Sequence, residues 1–261
     1  MMNKLSLQEA LQQELNNKLL WGILLIYTFI GGTYLALAKD MHASLNEYIL
    51  LLLSNHYYLI YGLLFFFLFW SAHNMKRKND LEIIRYQSYS NYFFNHLKSV
   101  FIKILLWLVM HIIIAFMLGI SNMGFKTGFR AHEIPEYYSE NVQMLFMFRE
   151  YFKAPVLAII AVISFLSFGF MFIYTIVFTC FQLYGNRISI IVILIVLANI
   201  FIGFKTTFDE GPLCFLFFNN YFILHHALFL NGISAVFIVL GIQIMSMWIL
   251  WRKLICKKRN R

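Results

Sequence analysis

The sequence predicts an all-α protein that crosses a membrane six times. Composition is the first reason, because 61% of the 261 residues are hydrophobic and 13% are charged, whereas a soluble domain carries about 25% charged residues. The second reason is that the apolar residues form six long stretches, and about 20 residues carry a helix across the hydrocarbon core. The third is that Lys and Arg gather on one side of these stretches. Soluble globular folds are therefore excluded.

The six spans form a single transmembrane domain over residues 1–261, without a soluble domain. Helices are expected because a helix satisfies its own backbone hydrogen bonds within lipid. The fourth span is long, so we expect it to tilt or to extend into the interface. In order, the predicted spans are residues 19–38, 48–71, 100–120, 155–184, 188–204 and 227–251.

The distribution of basic residues predicts the orientation. With both termini in the cytoplasm, 14 Lys and Arg side chains lie inside and six outside, and Lys103 lies at the inner edge of the third span. This asymmetry agrees with the positive-inside rule. The net charge of +9 is therefore attributed to membrane topology, and no nucleic-acid partner is expected.

Two elements outside the spans are predicted from local patterns. At the N-terminus, Ser6 and Glu9 match a capping box, and a leucine recurs at every fourth position from Leu7 to Leu19. Such a helix is expected to lie along the inner membrane surface. Between the fifth and sixth spans, the apolar segment 205–226 is interrupted by Pro212 and by Asn219–Asn220. This segment predicts a re-entrant element on the outer side.

Chemistry for ion coupling, catalysis or nucleotide binding is missing from the predicted spans. They hold no Asp or Glu, which argues against proton or sodium coupling. There is no phosphate-binding loop motif, and Gly124–Thr127 lacks the glycine before its lysine. The adjacent His225 and His226 would point about 100° apart on a helix, so we expect interfacial histidines. No catalytic residue and no metal ligand is predicted.

Four polar side chains fall at depth in the predicted spans. They have two interpretations, since they either form hydrogen bonds between helices or line a translocation path. They are Asn55, His56, His111 and Asn199.

A short helix is expected in the second inner loop, before the third span. This segment resembles the coupling helix of small bacterial ATP-binding-cassette exporter permeases of the second type, which include peptide, bacteriocin-immunity and toxin exporters. The resemblance extends to the six-span layout, the interfacial helix and the re-entrant element. Its residues are Glu82, Ile83, Ile84, Arg85, Tyr86, Gln87 and Ser88.

The resemblance implies a permease subunit in the bacterial cytoplasmic membrane. It would pair with a second copy or a sister permease and bind two ATPase subunits, which would hold ATP and Mg²⁺. Glu82 and Arg85 would make polar contacts with the ATPase, Ile83, Ile84 and Tyr86 would seat the helix, and Ser88 would complete the contact.

Two alternatives are open at this stage. One is a membrane-embedded immunity or binding protein that acts without an ATPase. The other is an intramembrane enzyme, which would need a polar cluster built from His56, His111, His225 and His226. The cargo of a transporter is not specified by the sequence, because a peptide, an antimicrobial compound or a lipid would each suit these spans.

Overall fold

The protein is a bundle of long helices, as a computed structural model of the chain describes. The model describes residues 12, 14, 16–74, 88–123, 128–132, 140–205 and 215–259. About 90% of the structure is helical, and the described residues contain no strand. Six helical segments are long and apolar enough to cross a membrane. The predicted class, an all-α multi-pass membrane protein, is confirmed.

Each predicted span corresponds to one helical segment. The helices of the third and sixth spans are longer than predicted, because polar residues at their ends continue the helix beyond the apolar stretch. The described helices are α1 (Lys18–Asp40), α2 (Leu45–Leu53), α3 (His56–Tyr58), a π-helix (Leu59–Leu64), α4 (Phe65–Asn74), α5 (Tyr89–Met123), α6 (Glu140–Tyr151), α7 (Pro155–Tyr184), α8 (Asn186–Lys205), a 3-10 helix (Phe218–Tyr221) and α9 (Leu224–Arg259).

Successive spans alternate in direction, so the bundle has two distinct ends. The end that carries Lys18, Arg187 and Arg252 is called the basic side. The other end carries α6 and the turn between α1 and α2, and is called the opposite side. The second span and α7 are the two most buried of the spanning segments, and they pack against each other. α7 also packs against α8 and α9. The second span and α7 therefore form the centre of the bundle.

The sequence predicted one continuous helix for the second span. The observed span runs over Leu45–Ala72 and has a break in the middle. α2 ends at Leu53, and the side-chain oxygen of Asn55 accepts a hydrogen bond of 3.0 Å from the backbone N–H of Tyr58. Asn side chains compete with the helical backbone for hydrogen bonds in this way. The break places the first residue of α3 deep within the bundle.

A buried carboxylate fastens the opposite side of the bundle. Glu47 is 1% exposed, and its carboxylate accepts hydrogen bonds from the backbone N–H groups of Ser44 (2.7 Å), Arg130 (2.9 Å) and Ala131 (3.0 Å). The expectation that no carboxylate lies in a span is therefore wrong, since the second span begins at Leu45. This carboxylate joins the α1–α2 turn to the segment after α5.

A second buried carboxylate lies close to the middle of α5. Glu14 accepts a hydrogen bond of 2.8 Å from the indole N–H of Trp107 and forms an ion pair of 3.1 Å with Lys103. Lys103, which the sequence placed at the inner edge of the third span, is therefore paired with an acidic side chain. Ser6 and Glu9, the predicted capping box, lie outside the described residues.

Candidate functional site

The chain re-enters the bundle between the fifth and sixth spans. α8 ends on the opposite side, and the described chain resumes at Phe215. A Cβ atom added to Gly169 would overlap the carbonyl oxygen of Tyr221 and the Cβ of Phe222. Gly169 is 14 residues along α7, which corresponds to about 21 Å from the opposite side. The 3-10 helix therefore lies near the middle of the bundle.

The chain then returns to the opposite side before it crosses. In α9 the backbone is non-helical at Asn231 (φ −165°, ψ 41°) and at Gly232 (φ 60°, ψ −147°). The side-chain amide of Gln243 donates a hydrogen bond of 2.5 Å to the carbonyl oxygen of Tyr221. In one straight helix those 22 residues would span about 33 Å. Residues 224–230 therefore form a returning limb, and residues 233–259 form a crossing limb.

The predicted re-entrant element is thus confirmed, and one of its boundaries is corrected. The sequence placed the start of the sixth span at Ala227, which belongs to the returning limb. Both limbs are rich in apolar residues, so the predicted span ran across the turn between them. Asn231 and Gly232 mark the turn, where the positive φ of Gly232 is a conformation that glycine adopts without steric cost.

Asn199 holds the re-entrant segment to α8. Its side-chain amide donates to the carbonyl oxygen of Leu216 (2.9 Å), and its oxygen accepts from the N–H of Phe218 (2.7 Å). These two bonds satisfy backbone groups that would otherwise lack partners in an apolar region. The structure therefore gives this candidate path residue a local anchoring role.

We expect Asn199→Ala to lower the free energy of unfolding by about 1–3 kcal/mol, because two backbone groups lose their partner. Thermal unfolding in detergent would measure the change. Asn122→Ala is the matched control, since the exposed Asn122 amide contacts only Leu118 and Ser121 among the described residues. Equal effects of the two substitutions would contradict the anchoring role.

The returning and crossing limbs together form a helical hairpin, and its base is the end next to the 3-10 helix. Three histidines meet at this base. His56 is the first residue of α3, and His225 and His226 begin the returning limb. One ring nitrogen from each lies within 4.8 Å of those of the other two. His56 is 1% exposed and His225 is 4% exposed. The prediction that the adjacent pair is interfacial is wrong, because the pair lies within the bundle and the break at Asn55 brings a third imidazole beside it.

Neighbouring side chains enclose this three-histidine cluster. The amide nitrogen of Asn219 lies 3.1 Å from Nδ1 of His226, and Asn219 is itself buried. The ring of Phe148, from α6, is 6.3 Å from the ring of His225. α6 therefore covers the cluster on the opposite side, and Asn219 of the 3-10 helix contacts the imidazole of His226.

His111, the fourth candidate histidine, belongs to a separate network. Its Nδ1 lies 2.6 Å from the carbonyl oxygen of Trp107, and its Nε2 lies 2.5 Å from the hydroxyl of Tyr58. A carbonyl oxygen only accepts, so Nδ1 carries the proton and Nε2 accepts from Tyr58. The ring of Tyr27 packs edge-on against the same imidazole at 4.5 Å. The hydrogen bond to Tyr58 joins α5 to the second span, and the ring contact with Tyr27 joins α5 to α1.

A cavity of about 340 Å³ lies between α1 and the second span. Its walls are mainly aliphatic and aromatic, and Asn55 supplies a polar group next to Tyr58 and Tyr61. Asn55 thus borders this cavity. Its side-chain oxygen caps α3 within the same span, so the observed bond is local and not between helices. A translocation path at Asn55 stays a prediction.

Most of the predicted ATPase contact falls outside the described residues, namely Glu82, Ile83, Ile84, Arg85 and Tyr86. Ser88 is described, and its hydroxyl accepts a hydrogen bond of 3.1 Å from the N–H of Asn91. Ser88 therefore caps the beginning of α5.

Comparison with known proteins gives no assignment. The chain matches no protein-family model, no curated protein and no solved structure. Functional inference therefore depends on the chemistry of the residues described above.

Proposed function

We propose that this chain is the transmembrane subunit of an ATP-binding-cassette exporter. It moves a peptide, an antimicrobial compound or a lipid-like amphipathic cargo outward, using ATP hydrolysed with Mg²⁺ on a separate subunit. The basic side faces the bacterial cytoplasm, in agreement with the positive-inside rule. Two ATPase subunits and a second permease, either a copy or a sister chain, complete the transporter.

The observation that carries the proposal is the continuity of α5. It has 35 residues and a length of about 52 Å, whereas the hydrocarbon core is about 30 Å thick. α5 begins directly after the segment 82–88, which resembles a coupling helix. A push on that segment would pass along one unbroken helix from the basic side to the opposite side.

The charges of the described spans support an external energy source. Glu47 is engaged by three backbone N–H groups, and Lys103 is paired with Glu14. Ion-coupled carriers need carboxylates or cations that can release their ion within the membrane. Because these charged groups already have fixed protein partners, transport driven by an ATPase is the better explanation.

The test is purification of the tagged protein from its native membrane in mild detergent, followed by mass spectrometry of the proteins that accompany it. We expect a stoichiometric ATPase subunit with a phosphate-binding loop motif. We expect Arg85→Glu to lose that subunit by at least tenfold, while the protein still inserts in the membrane. Arg187→Glu, which reverses an exposed charge elsewhere on the basic side, should retain it.

Two results would contradict the proposal. If no ATPase accompanies the wild-type protein even after cross-linking in the cell, the chain acts as an immunity or binding protein instead. If Arg85→Glu retains the ATPase at the wild-type level, the segment 82–88 is not the contact.

A further inference from the structure

We propose that His56, His225 and His226 bind a transition-metal ion of the Zn²⁺ type within the bundle. Imidazole nitrogen is a preferred ligand of Zn²⁺. In a tetrahedral Zn²⁺ site with bonds of about 2.0–2.1 Å, the ligand nitrogens are about 3.3 Å apart. The three nitrogens lie within 4.8 Å of one another. Small rotations of the rings would bring all three to bonding distance. This inference does not depend on the proposed exporter function.

The backbone holds the three imidazoles on separate, well-fixed supports. His56 follows Asn55, whose side chain caps α3. His225 and His226 follow the 3-10 helix, which is packed against Gly169 and bonded to Gln243. Side chains on such supports lose little conformational freedom when they bind an ion, which favours affinity.

Asn219 is placed to orient one of the ligands. Its side-chain oxygen has no hydrogen-bond partner among the described residues, while its amide nitrogen lies 3.1 Å from Nδ1 of His226. Rotation of the amide by half a turn would present the oxygen to a protonated Nδ1. His226 would then direct the lone pair of Nε2 into the cluster. A hydrogen bond from the second nitrogen is the usual support of a metal-bound histidine.

The neutral charge of the three imidazoles indicates that the fourth ligand of the bound ion is an anion. The group contains three histidines and no carboxylate or thiolate from the described chain. Three neutral imidazoles would leave the full charge of the ion uncompensated in a buried site, which is unfavourable. The fourth position is therefore assigned to an anion, such as hydroxide, chloride or a carboxylate from a bound molecule. Protein sites with three ligands and an open fourth position are the reactive class of zinc sites.

The test uses full-length protein in detergent, freed of its affinity tag and stripped with a chelator. Titration with Co²⁺ reports coordination through the visible absorption of a four-coordinate ion, and competition with Zn²⁺ then gives its affinity. We expect one Co²⁺ per chain. We expect His56→Leu and His226→Leu to weaken binding at least 100-fold. Asn219→Leu should weaken it about 10- to 100-fold, as substitution of an orienting partner does.

His42→Leu is the control, because His42 and His132 form another close pair, with ring centroids 6.3 Å apart. This substitution should leave Co²⁺ binding unchanged. The proposal is overturned if wild-type protein binds neither Co²⁺ nor Zn²⁺. It is also overturned if the cluster variants bind as the wild type does, or if His42→Leu abolishes binding. If a cluster variant fails to fold, two titrations still overturn the proposal: wild-type protein that binds neither ion, or His42→Leu protein that has lost binding.

Discussion

Gly169→Val is expected to lower the free energy of unfolding by about 3 kcal/mol or more. Overpacking in a filled core costs about 1–3 kcal/mol where side chains can move aside. Here the obstacles include the backbone carbonyl oxygen of Tyr221 and the Cβ of Phe222, which move only with the chain. The 3-10 helix would lose its place against α7, and with it the bond from Gln243. Thermal unfolding of the purified protein in detergent would measure the loss.

Alanine substitutions at two glycines provide a sharper comparison. Gly169→Ala should destabilise the protein, since even a single methyl group meets the same atoms. Gly241→Ala is the control, because no atom lies within 4 Å of its added Cβ. In a helix interior that change stabilises by up to about 1 kcal/mol. If both variants were equally stable, the re-entrant segment would not pack against α7.

Glu47→Ala is expected to cost about 3 kcal/mol or more. Three backbone N–H groups lose their acceptor, and each unsatisfied buried donor costs about 1–3 kcal/mol. Glu47→Gln should cost less, since one oxygen remains for Arg130 and Ala131 and only the bond to Ser44 is lost. Glu150→Ala, at an exposed position, should change stability by less than about 0.5 kcal/mol.

Trypsin provides an independent measurement of the Glu47 contact. The bond after Arg130 includes the N–H of Ala131, which Glu47 holds at 3.0 Å. We expect Glu47→Ala to accelerate cleavage there, and Glu150→Ala to leave its rate unchanged. Equal rates in all variants would mean that the carboxylate does not fix this segment.

Much of the fold could be predicted from the sequence, because a membrane span is a local property of about 20 residues. The six spans and the re-entrant element follow from apolar runs and the residues that break them. Asn219 and Asn220 are among those breaks, and both lie in the 3-10 helix at the base of the hairpin. Helix ends were less accurate, as α5 shows by beginning at Tyr89.

Two features had sequence signals that were overlooked. Asn231–Gly232 is a dipeptide that commonly marks a turn, and it would have separated the returning limb from the crossing limb. Ser44 and Glu47 match the same capping-box pattern that was recognised at Ser6 and Glu9. Glu47 was missed because the predicted span began one residue later, at Tyr48.

The three-histidine cluster had no such signal. His56 is separated from His225 by most of the chain, and their approach depends on a helix break and a hairpin that meet at the same depth. From the sequence, His111 was an equally good candidate member of a histidine cluster. In the structure, both of its ring nitrogens form hydrogen bonds, one with Tyr58 and one with the carbonyl oxygen of Trp107. Only packing distinguishes the two histidines, and packing between distant segments is not encoded in any single window of sequence.

The hairpin also constrains the order in which the protein is made. The base of the hairpin bonds to Gln243, which is synthesised 22 residues after Tyr221. The returning limb is too short to be inserted as a span by itself. We therefore expect it to reach its final place only after the crossing limb has entered the bilayer. We therefore expect the hairpin to assemble after the helices that precede it in the chain, and to be a region that an insertase or a quality-control protease would recognise.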